Sequence, residues 1–268
     1  MEPKELMFTG ERMVPRDAPD DIFWEHIYRY RFATNLVKDK RVLDIASGEG
    51  YGVAALLQAG AKNVIGIDLS HEAVAYACRK YGNHFVQGDA SHIPLADRTV
   101  DVIISFETIE HLDHPETFIK ECSRLLAPGG MVIFSTPDLS ASQGTNPFHT
   151  REFSKKGITD LIMPYFTKLS YFDQVTLTAP WWSPRAFSAI KSQWMHMRGM
   201  WRMRSLLRRM ACPHIILPDL IEKYRETPID AIIKPLPNSP ILNPYVIRKC
   251  SKSKNTLSVY FLVTAELR

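Results

Sequence analysis

The sequence predicts an α/β protein built on a doubly wound, mostly parallel β-sheet, and two observations support this class. Short β-branched runs alternate with helical patterns through residues 41–136. Several of these runs are apolar on both faces, which is typical of buried parallel strands. Strands that alternate with helices form a parallel sheet covered by helices on both sides.

The elements of this sheet follow in order along the chain. The predicted strands are RVLDIA (41–46), NVIGID (63–68), NHFVQGD (83–89), VDVIISF (100–106) and GMVIFST (130–136). Helical patterns occupy residues 22–38, 51–59, 71–80 and 116–126. Ser70 is placed to cap the helix at 71–80, and APGG (127–130) is placed to end the helix at 116–126.

The pattern changes after the fifth strand. KLSYFDQVTL (168–177) and LSVYFLVTAEL (257–267) have the composition of two more strands, which we expect to pair antiparallel at one edge of the sheet. A structureless loop as long as the stretch between them is improbable in a compact domain. We therefore predict a main domain of residues 1–177 and 256–268, with residues 178–255 inserted as a helical lid subdomain.

Composition and charge narrow the class of protein. The chain has 268 residues, of which 45% are hydrophobic and 23% charged, as in ordinary globular proteins. Its cysteines form no C-x-x-C pair, which favours reduced thiols and a reducing compartment: Cys78, Cys122, Cys212 and Cys250. The first residues lack the apolar core of a signal peptide. We therefore expect a cytoplasmic protein.

The net charge of +4 is unevenly spread. Residues 174–218 contain several basic residues and no acidic one: Arg185, Lys191, Arg198, Arg202, Arg204, Arg208 and Arg209. An apolar stripe of Trp and Met at helical spacing runs through 184–210. Three interpretations stay open: packing of a lid on the core, binding of an anionic or lipid-linked acceptor, and peripheral contact with a membrane surface. Nucleic acid is disfavoured, because no RNA-binding module is present.

VLDIASGEGYG (42–52) has the order strand, glycine turn, helix. Glycines at 48, 50 and 52 allow backbone amides to approach a ligand, and the helix N-terminus that follows favours negative charge. Val53 stands where a dinucleotide fingerprint has its third glycine. The turn alone therefore predicts either a nucleotide-binding loop or a tight structural turn.

Acidic residues at three strand ends favour the nucleotide interpretation. Asp44, Asp68 and Asp89 lie at or near the ends of the first three predicted strands. Because the carboxyl ends of parallel strands meet at one edge, these carboxylates are expected to face one site. There an acid can accept hydrogen bonds from ribose hydroxyls or from an adenine amino group.

These motifs, with VIGIDLS, FVQGDASHIPLADRTVDVIISFETIEHL and LLAPGGMVIFSTP, resemble class I S-adenosylmethionine-dependent methyltransferases of the small-molecule and quinone O-methylase type. The resemblance covers residues 40–137. It implies a Rossmann-like sheet of seven strands with an antiparallel last strand, and S-adenosyl-L-methionine as the cofactor. It also implies cofactor-binding roles for Asp44, Ala46, Gly48, Gly50, Asp68, Leu69, Asp89, Ala90 and the backbone of Phe106. In the predicted first helix, Arg29 and Tyr30, with His26, are expected to reach the cofactor carboxylate.

The stretch SFETIEHLDHPE (105–116) leaves the fourth strand at the reactive edge. Its Glu107, Glu110 and His111 share a face if a helix begins here. A hydroxyl nucleophile must lose its proton to a base or bind a metal. His111 or His149, with Glu110, is a candidate for the base. Acids that merely start a helix are the structural alternative.

A metal site is the other chemical interpretation. Glu107, Glu110 and His111 resemble the E-x-x-E-H motif of plant-type small-RNA 3′-terminal 2′-O-methyltransferases, which add a later histidine. His149, in NPFHTREFS (146–154), stands in a comparable place. Two carboxylates with two imidazoles suit Mg²⁺, Mn²⁺ or Fe²⁺.

Two segments outside the cofactor motifs indicate a class of acceptor. FTGERMVP (8–15) and NPFHTREFS resemble methyltransferases of bacterial glycan and secondary-metabolite pathways. The sequence therefore predicts O-methylation of a hydroxyl on a sugar, a glycan or a glycosylated small molecule. A phenolic or quinone-like acceptor, an N-methyltransferase and a non-catalytic protein that only binds the cofactor are the alternatives.

Overall fold

The computed structural model describes residues 13–15, 18, 20–140, 146–176, 245–249 and 260–268. Its helices are α1 (Asp20–Thr34), α2 (Tyr51–Gln58), α3 (His71–Tyr81), α4 (Pro115–Leu125) and α5 (Lys155–Ile162). Its strands are β1 (Arg41–Ile45), β2 (Asn63–Asp68), β3 (Phe85–Gln87), β4 (Val100–Phe106), β5 (Leu126–Pro137), β6 (Phe166–Thr176), β7 (Tyr245–Lys249) and β8 (Tyr260–Leu267). A short 3₁₀ turn covers Ile109–His111.

The strands form one sheet in the order β3-β2-β1-β4-β5-β8-β6-β7. Strands β1 to β5 pair in parallel, whereas β8 pairs antiparallel with both β5 and β6. The predicted fold class, a mostly parallel Rossmann-like sheet with an antiparallel last strand, is confirmed. The predicted pair of late strands is also antiparallel, but β8 lies inside the sheet rather than at its edge.

The edge position belongs to β7, an eighth strand that pairs antiparallel with β6. Its residues fall within the predicted insertion 178–255. Most of that insertion, including the basic stretch 184–210, Cys212 and Cys250, lies outside the described residues. The division into a main domain and a lid therefore stays a prediction.

Two apolar clusters cover the two faces of the sheet. Alternation along β4 illustrates this arrangement, because Val102 and Ile104 join one cluster while Ile103 joins the other. Helices α1 and α2 pack on the first face, and α4 and α5 contribute to the second. None of the helices in the described parts is long and apolar enough to cross a membrane.

Two elements differ from the sequence-based expectation. Helix α4 ends at Leu125, just before APGG, as predicted, but APGG itself lies within β5, which begins at Leu126. Helix α5 was not predicted at all, although Ser154 caps it by accepting a hydrogen bond from the backbone of Gly157. The eight residues of α5 are too few for a clear helical period.

Candidate active site

The glycine turn after β1 is shaped by left-handed backbone. Ala46, Gly48 and Gly50 all have positive φ angles, of 59°, 55° and 85°. The turn leads directly into α2, whose first residues are buried. A Cβ atom on Gly52 would overlap the ring of Tyr30, so glycine here is what allows α1 to approach α2 closely.

Tyr30 and Asp44 form a buried pair under this turn. The Tyr30 hydroxyl donates to Asp44 Oδ2 at 3.0 Å, and both residues are almost fully buried. Burial raises the pKa of Asp44 to about 8, against the opposing effect of the Tyr30 hydrogen bond. The structure thus joins two of the predicted cofactor residues, one from α1 and one from β1.

Asp68 closes β2 beside the same turn. Its two carboxylate oxygens accept hydrogen bonds from the backbone amides of Gly48, at 2.8 Å, and Ser70, at 2.9 Å. Leu69 follows with a side chain that is 71% exposed. An exposed leucine between two ordered turns offers an apolar surface for a planar ring.

The end of β3 lies beside the end of β2. Gln87 donates to the backbone oxygen of Leu69 at 3.1 Å, and the amide of Gly88 donates to the backbone oxygen of Asp68. Asp89 accepts a hydrogen bond from the amide of Ser91 at 2.7 Å, and the neighbouring Ala90 is half-buried. The predicted residues of β1, β2 and β3 therefore meet at one edge.

Arg29 extends toward another part of this edge. Its guanidinium is 1% exposed, donates to Gln174 Oε1 at 2.8 Å and lies 4.2 Å from the centre of the Tyr260 ring. Its Nη1 is 3.5 Å from Glu107 Oε1, whereas Nη2 is buried without a hydrogen bond. Its predicted contact with the cofactor carboxylate stays a prediction.

The stretch after β4 does not begin a helix, so the expectation that Glu107, Glu110 and His111 share one helix face is wrong. Glu107 has φ 53°, and α4 starts only at Pro115. Proline disfavours helical backbone in the residue before it and is accepted at the first helical position. The three side chains therefore leave a tight turn rather than a helix.

Glu107 is held by two partners. Ser135 Oγ donates to Glu107 Oε1 at 2.7 Å, and the Glu107 amide donates to the Ser135 backbone oxygen at 3.1 Å. With Arg29 as the ionic partner of the same Oε1, the carboxylate is fixed on one side. Glu107 Oε2 has no hydrogen bond within the described residues.

Glu110 is fully buried, and neither of its carboxyl oxygens has a hydrogen-bond partner. The Thr136 hydroxyl lies beside it without meeting hydrogen-bond geometry. Burial, followed by the charge of Glu107, raises the pKa of Glu110 well above its ordinary value. The site thus contains a carboxyl group with two unused oxygens.

Two imidazoles stand next to this carboxyl group. Glu110, His111 and His149 each offer a ligand atom, and these atoms lie within 4.8 Å of one another. The rings of His111 and His149 meet edge to face with centres 5.1 Å apart. Glu107 is not part of this group, so the structure assembles three of the four predicted metal ligands.

The loop after β5 brings His149 to this place. The amides of Thr150 and Arg151 both donate to the backbone oxygen of Glu110, at 2.9 and 3.2 Å. His111 Nδ1 lies 2.8 Å from the backbone oxygen of Phe148. The loop and the turn after β4 are therefore joined by backbone and side-chain hydrogen bonds.

A family model described as "Methyltransferase domain" matches residues 43–134. Residues 43–134 are therefore similar to methyltransferase domains. The matched range runs from β1 into β5 and includes the glycine turn, Asp68, Asp89 and His111.

Curated relatives of the chain carry similar names. The "probable S-adenosylmethionine-dependent methyltransferase" of Mycolicibacterium smegmatis is 37% identical over 167 residues, which are 60% of this chain and 65% of the relative. The protein of the same description from Mycobacterium tuberculosis H37Rv is 36% identical over 169 residues, 60% of this chain and 61% of the relative. The chain thus spans less than two thirds of these relatives.

A solved S-adenosylmethionine-dependent methyltransferase of Thermotoga maritima shows the same fold, with a TM-score of 0.56 and 17% identity. The match covers 91% of this chain and 90% of that one.

The names of these relatives imply S-adenosylmethionine, and the residues at the carboxyl edge of β1 and β2 fit it. The left-handed turn at Ala46, Gly48 and Gly50 leaves room for backbone to approach a ligand. Asp68 lies where ribose hydroxyls bind in sheets of this kind, beside the exposed Leu69. Bound there, the cofactor would supply an electrophilic methyl group, which the protein would have to place and desolvate.

The candidate site also contains residues that the sequence did not indicate. Ser135, Gln174 and Tyr260 hold Glu107 or Arg29 from strands that are distant in the chain. No local pattern marks such partners. Asn146 is different, because Asn146-Pro147 is a recognisable turn signal.

Proposed function

We propose that this chain transfers the methyl group of S-adenosylmethionine to a hydroxyl oxygen, with His111 as the general base. The observation that carries the proposal is the hydrogen bond between His111 Nδ1 and the Phe148 backbone oxygen, at 2.8 Å. A carbonyl oxygen only accepts, so the ring proton resides on Nδ1. Nε2 then has a free lone pair and no hydrogen bond within the described residues.

The neighbours of His111 support its role. After His111 takes a proton it carries a positive charge, which the adjacent Glu110 carboxyl group stabilises when ionised. His111 follows β4 in the chain, and the resemblance places the cofactor at the backbone of Phe106, the last residue of β4. The protein also raises the rate of transfer when it aligns the hydroxyl with the methyl group at this edge.

A sugar or glycan is the acceptor that we propose first. Neighbouring hydroxyls are characteristic of sugars, and Glu107 Oε1 is fixed by Ser135 while its Oε2 is free to accept from a second hydroxyl. The resemblance of FTGERMVP and NPFHTREFS to methyltransferases of glycan pathways supports the same class. Phenolic or quinone-like acceptors, which also lose a hydroxyl proton, are compatible with His111.

Carboxylate acceptors are a second candidate, favoured by names of relatives. A fatty-acid O-methyltransferase of Mycolicibacterium smegmatis is 29% identical over 128 residues. A malonyl-[acyl-carrier protein] O-methyltransferase of Marinomonas is 35% identical over 111 residues. A carboxylate is already ionised at neutral pH and needs no base. The free Nε2 of His111 therefore favours a hydroxyl over a carboxylate.

A divalent ion is a further candidate for activating the hydroxyl. Glu110 offers two buried oxygens without partners, and His111 offers Nε2. His149 Nε2 already lies 2.8 Å from Asn146 Nδ2, so this third ligand would have to exchange its partner. Mg²⁺, Mn²⁺ or Fe²⁺ held by Glu110 and His111 would acidify a bound hydroxyl.

The proposal is tested with the purified full chain, labelled S-adenosylmethionine and an acceptor panel. The panel contains nucleoside-diphosphate sugars, methyl glycosides, catechols, reduced quinones, fatty acids, malonyl thioesters and primary amines. We expect methyl transfer to a hydroxyl acceptor. His111→Gln should lower kcat by a factor of about 10² to 10⁴, with unchanged affinity for S-adenosylmethionine in calorimetry.

His114→Gln is the matched control, because His114 is exposed and makes no capping hydrogen bond at α4. Transfer only to carboxylates, or full activity of His111→Gln, would contradict the proposal. Chelator treatment followed by addition of Mg²⁺, Mn²⁺ or Fe²⁺ separates the metal candidate. Turnover that needs the added ion, and is lost in Glu110→Gln, would favour the metal over the free base.

A further inference from the structure

The turn at Asn146 has only one consistent arrangement of hydrogen-bond donors and acceptors. The backbone amide of Phe148 donates to Asn146 Oδ1 at 3.0 Å, and the amide of His149 donates to the Asn146 backbone oxygen at 3.2 Å. An amide N–H cannot accept, so the side-chain oxygen of Asn146 must face Phe148. Its Nδ2 group is therefore the one that faces His149.

This orientation determines the protonation pattern of His149. Asn146 Nδ2 lies 2.8 Å from His149 Nε2 and can only donate, so Nε2 accepts and carries no proton. The ring proton is then on Nδ1, which points at Glu152 Oε1, 3.5 Å away. Both His149 and Glu152 are only 12% exposed, so the chain of contacts is largely shielded from water.

The same turn also orients the neighbouring imidazole. The Phe148 oxygen accepts from His111 Nδ1, and the His149 ring packs against the His111 ring at an angle of 77°. The turn that begins at Asn146 and Pro147 thus holds both rings. Asn146 contacts His149, the Phe148 oxygen accepts from His111, and the two rings pack against each other.

We propose that Asn146 is a positioning residue, which places the ring proton of His149 on Nδ1 and holds that ring against His111. Its effect on turnover rests on the proposed function, in which His111 receives the proton of the acceptor. Misplacement of His111 by a fraction of an ångström would reduce the rate without altering the cofactor site.

Asn146→Asp tests whether Asn146 orients the His149 ring or only forms the turn. Aspartate keeps an oxygen for the Phe148 amide, so the turn is retained. Its second oxygen can only accept, so the hydrogen bond to His149 persists only when the ring carries a proton on Nε2. Asn146→Ala removes both interactions, and Asn83→Asp, at an exposed position, serves as the control.

The first measurement is the ¹⁵N NMR spectrum of the histidine side chains in the full chain, in which the two tautomers differ. His149→Gln and His111→Gln assign the signals. We expect Nδ1–H at His149 and His111 in the unmodified protein and in Asn83→Asp. In Asn146→Asp, His149 should gain a proton on Nε2 while His111 keeps Nδ1–H. An Nε2–H tautomer of His149 in the unmodified protein, or no change in Asn146→Asp, would overturn the inference.

The second measurement is turnover with the panel acceptor that the unmodified protein methylates. Asn146→Asp should lower kcat about tenfold, with KM for S-adenosylmethionine unchanged. A shifted tautomer with unchanged kcat would overturn the positioning role. If the unmodified protein methylates no acceptor, the proposed function fails, but the tautomer measurement still decides the structural inference.

Discussion

At the scale of single residues, Glu107 combines a strained backbone conformation with a side chain that is held in a fixed position. A left-handed backbone costs a non-glycine residue about 1 kcal/mol or more, and Glu107 adopts it with φ 53°. The side chain offsets this cost through Ser135 and the buried Arg29. Strained residues of this kind cluster at functional sites, which agrees with the position of Glu107 at the end of β4.

Replacement of Glu107 tests this balance. Glu107→Gln keeps an oxygen for Ser135 but removes the charge that faces Arg29, so a buried guanidinium loses an ionic partner. We expect a loss of about 1–3 kcal/mol in the free energy of unfolding, measured by urea denaturation. Asp160→Asn breaks the exposed pair with Lys156 and should cost less than about 1 kcal/mol. Equal effects of the two substitutions would show that Arg29 does not depend on Glu107.

At the scale of elements, the sequence predicted what depends on local pattern. Strands β1, β2 and β4 were apolar runs closed by turn residues, and each lies within one residue of its predicted bounds. The tight turn after β4 was misjudged, because Glu107, Glu110 and His111 have the spacing of a helix and only Pro115 argues against it. Helix α5 and strand β7 were missed, since short elements depend on their tertiary partners.

The candidate site divides in the same way. The sequence could predict that Asp44, Asp68 and the glycine turn lie together, because the carboxyl ends of parallel strands meet at one edge of the sheet. The contacts of Arg29 with Gln174 and Tyr260 join α1 to β6 and β8. They could not be foreseen, because those strands are more than a hundred residues away. The separation of Glu107 from Glu110 also depends on backbone angles that a sequence motif does not specify.

At the scale of the whole molecule, the candidate site contains residues that pack on both faces of the sheet. The pair of Tyr30 and Asp44 belongs to the face covered by α1 and α2, whereas Ile109 beside Glu110 packs in the opposite cluster. A carboxyl group buried between such layers affects the stability of the whole fold. Asp44 is the clearest case, because its pKa rises to about 8.

The pH dependence of folding follows from Asp44. In the unfolded chain this carboxyl loses its proton near its ordinary pKa of about 4, whereas in the folded protein it holds the proton up to about pH 8. The folded state therefore binds more protons between these values, and its stability falls as the pH rises. The slope is at most about 1.4 kcal/mol per pH unit.

Asp44→Asn isolates this contribution, because asparagine also accepts from the Tyr30 hydroxyl but does not ionise. The difference in unfolding free energy between Asp44→Asn and the unmodified protein, without cofactor, should move in favour of the variant from about pH 5 to about pH 8. Urea denaturation at several pH values measures it. A difference that stays constant over this range would mean that Asp44 titrates normally, and that the interior under the glycine turn is accessible to water.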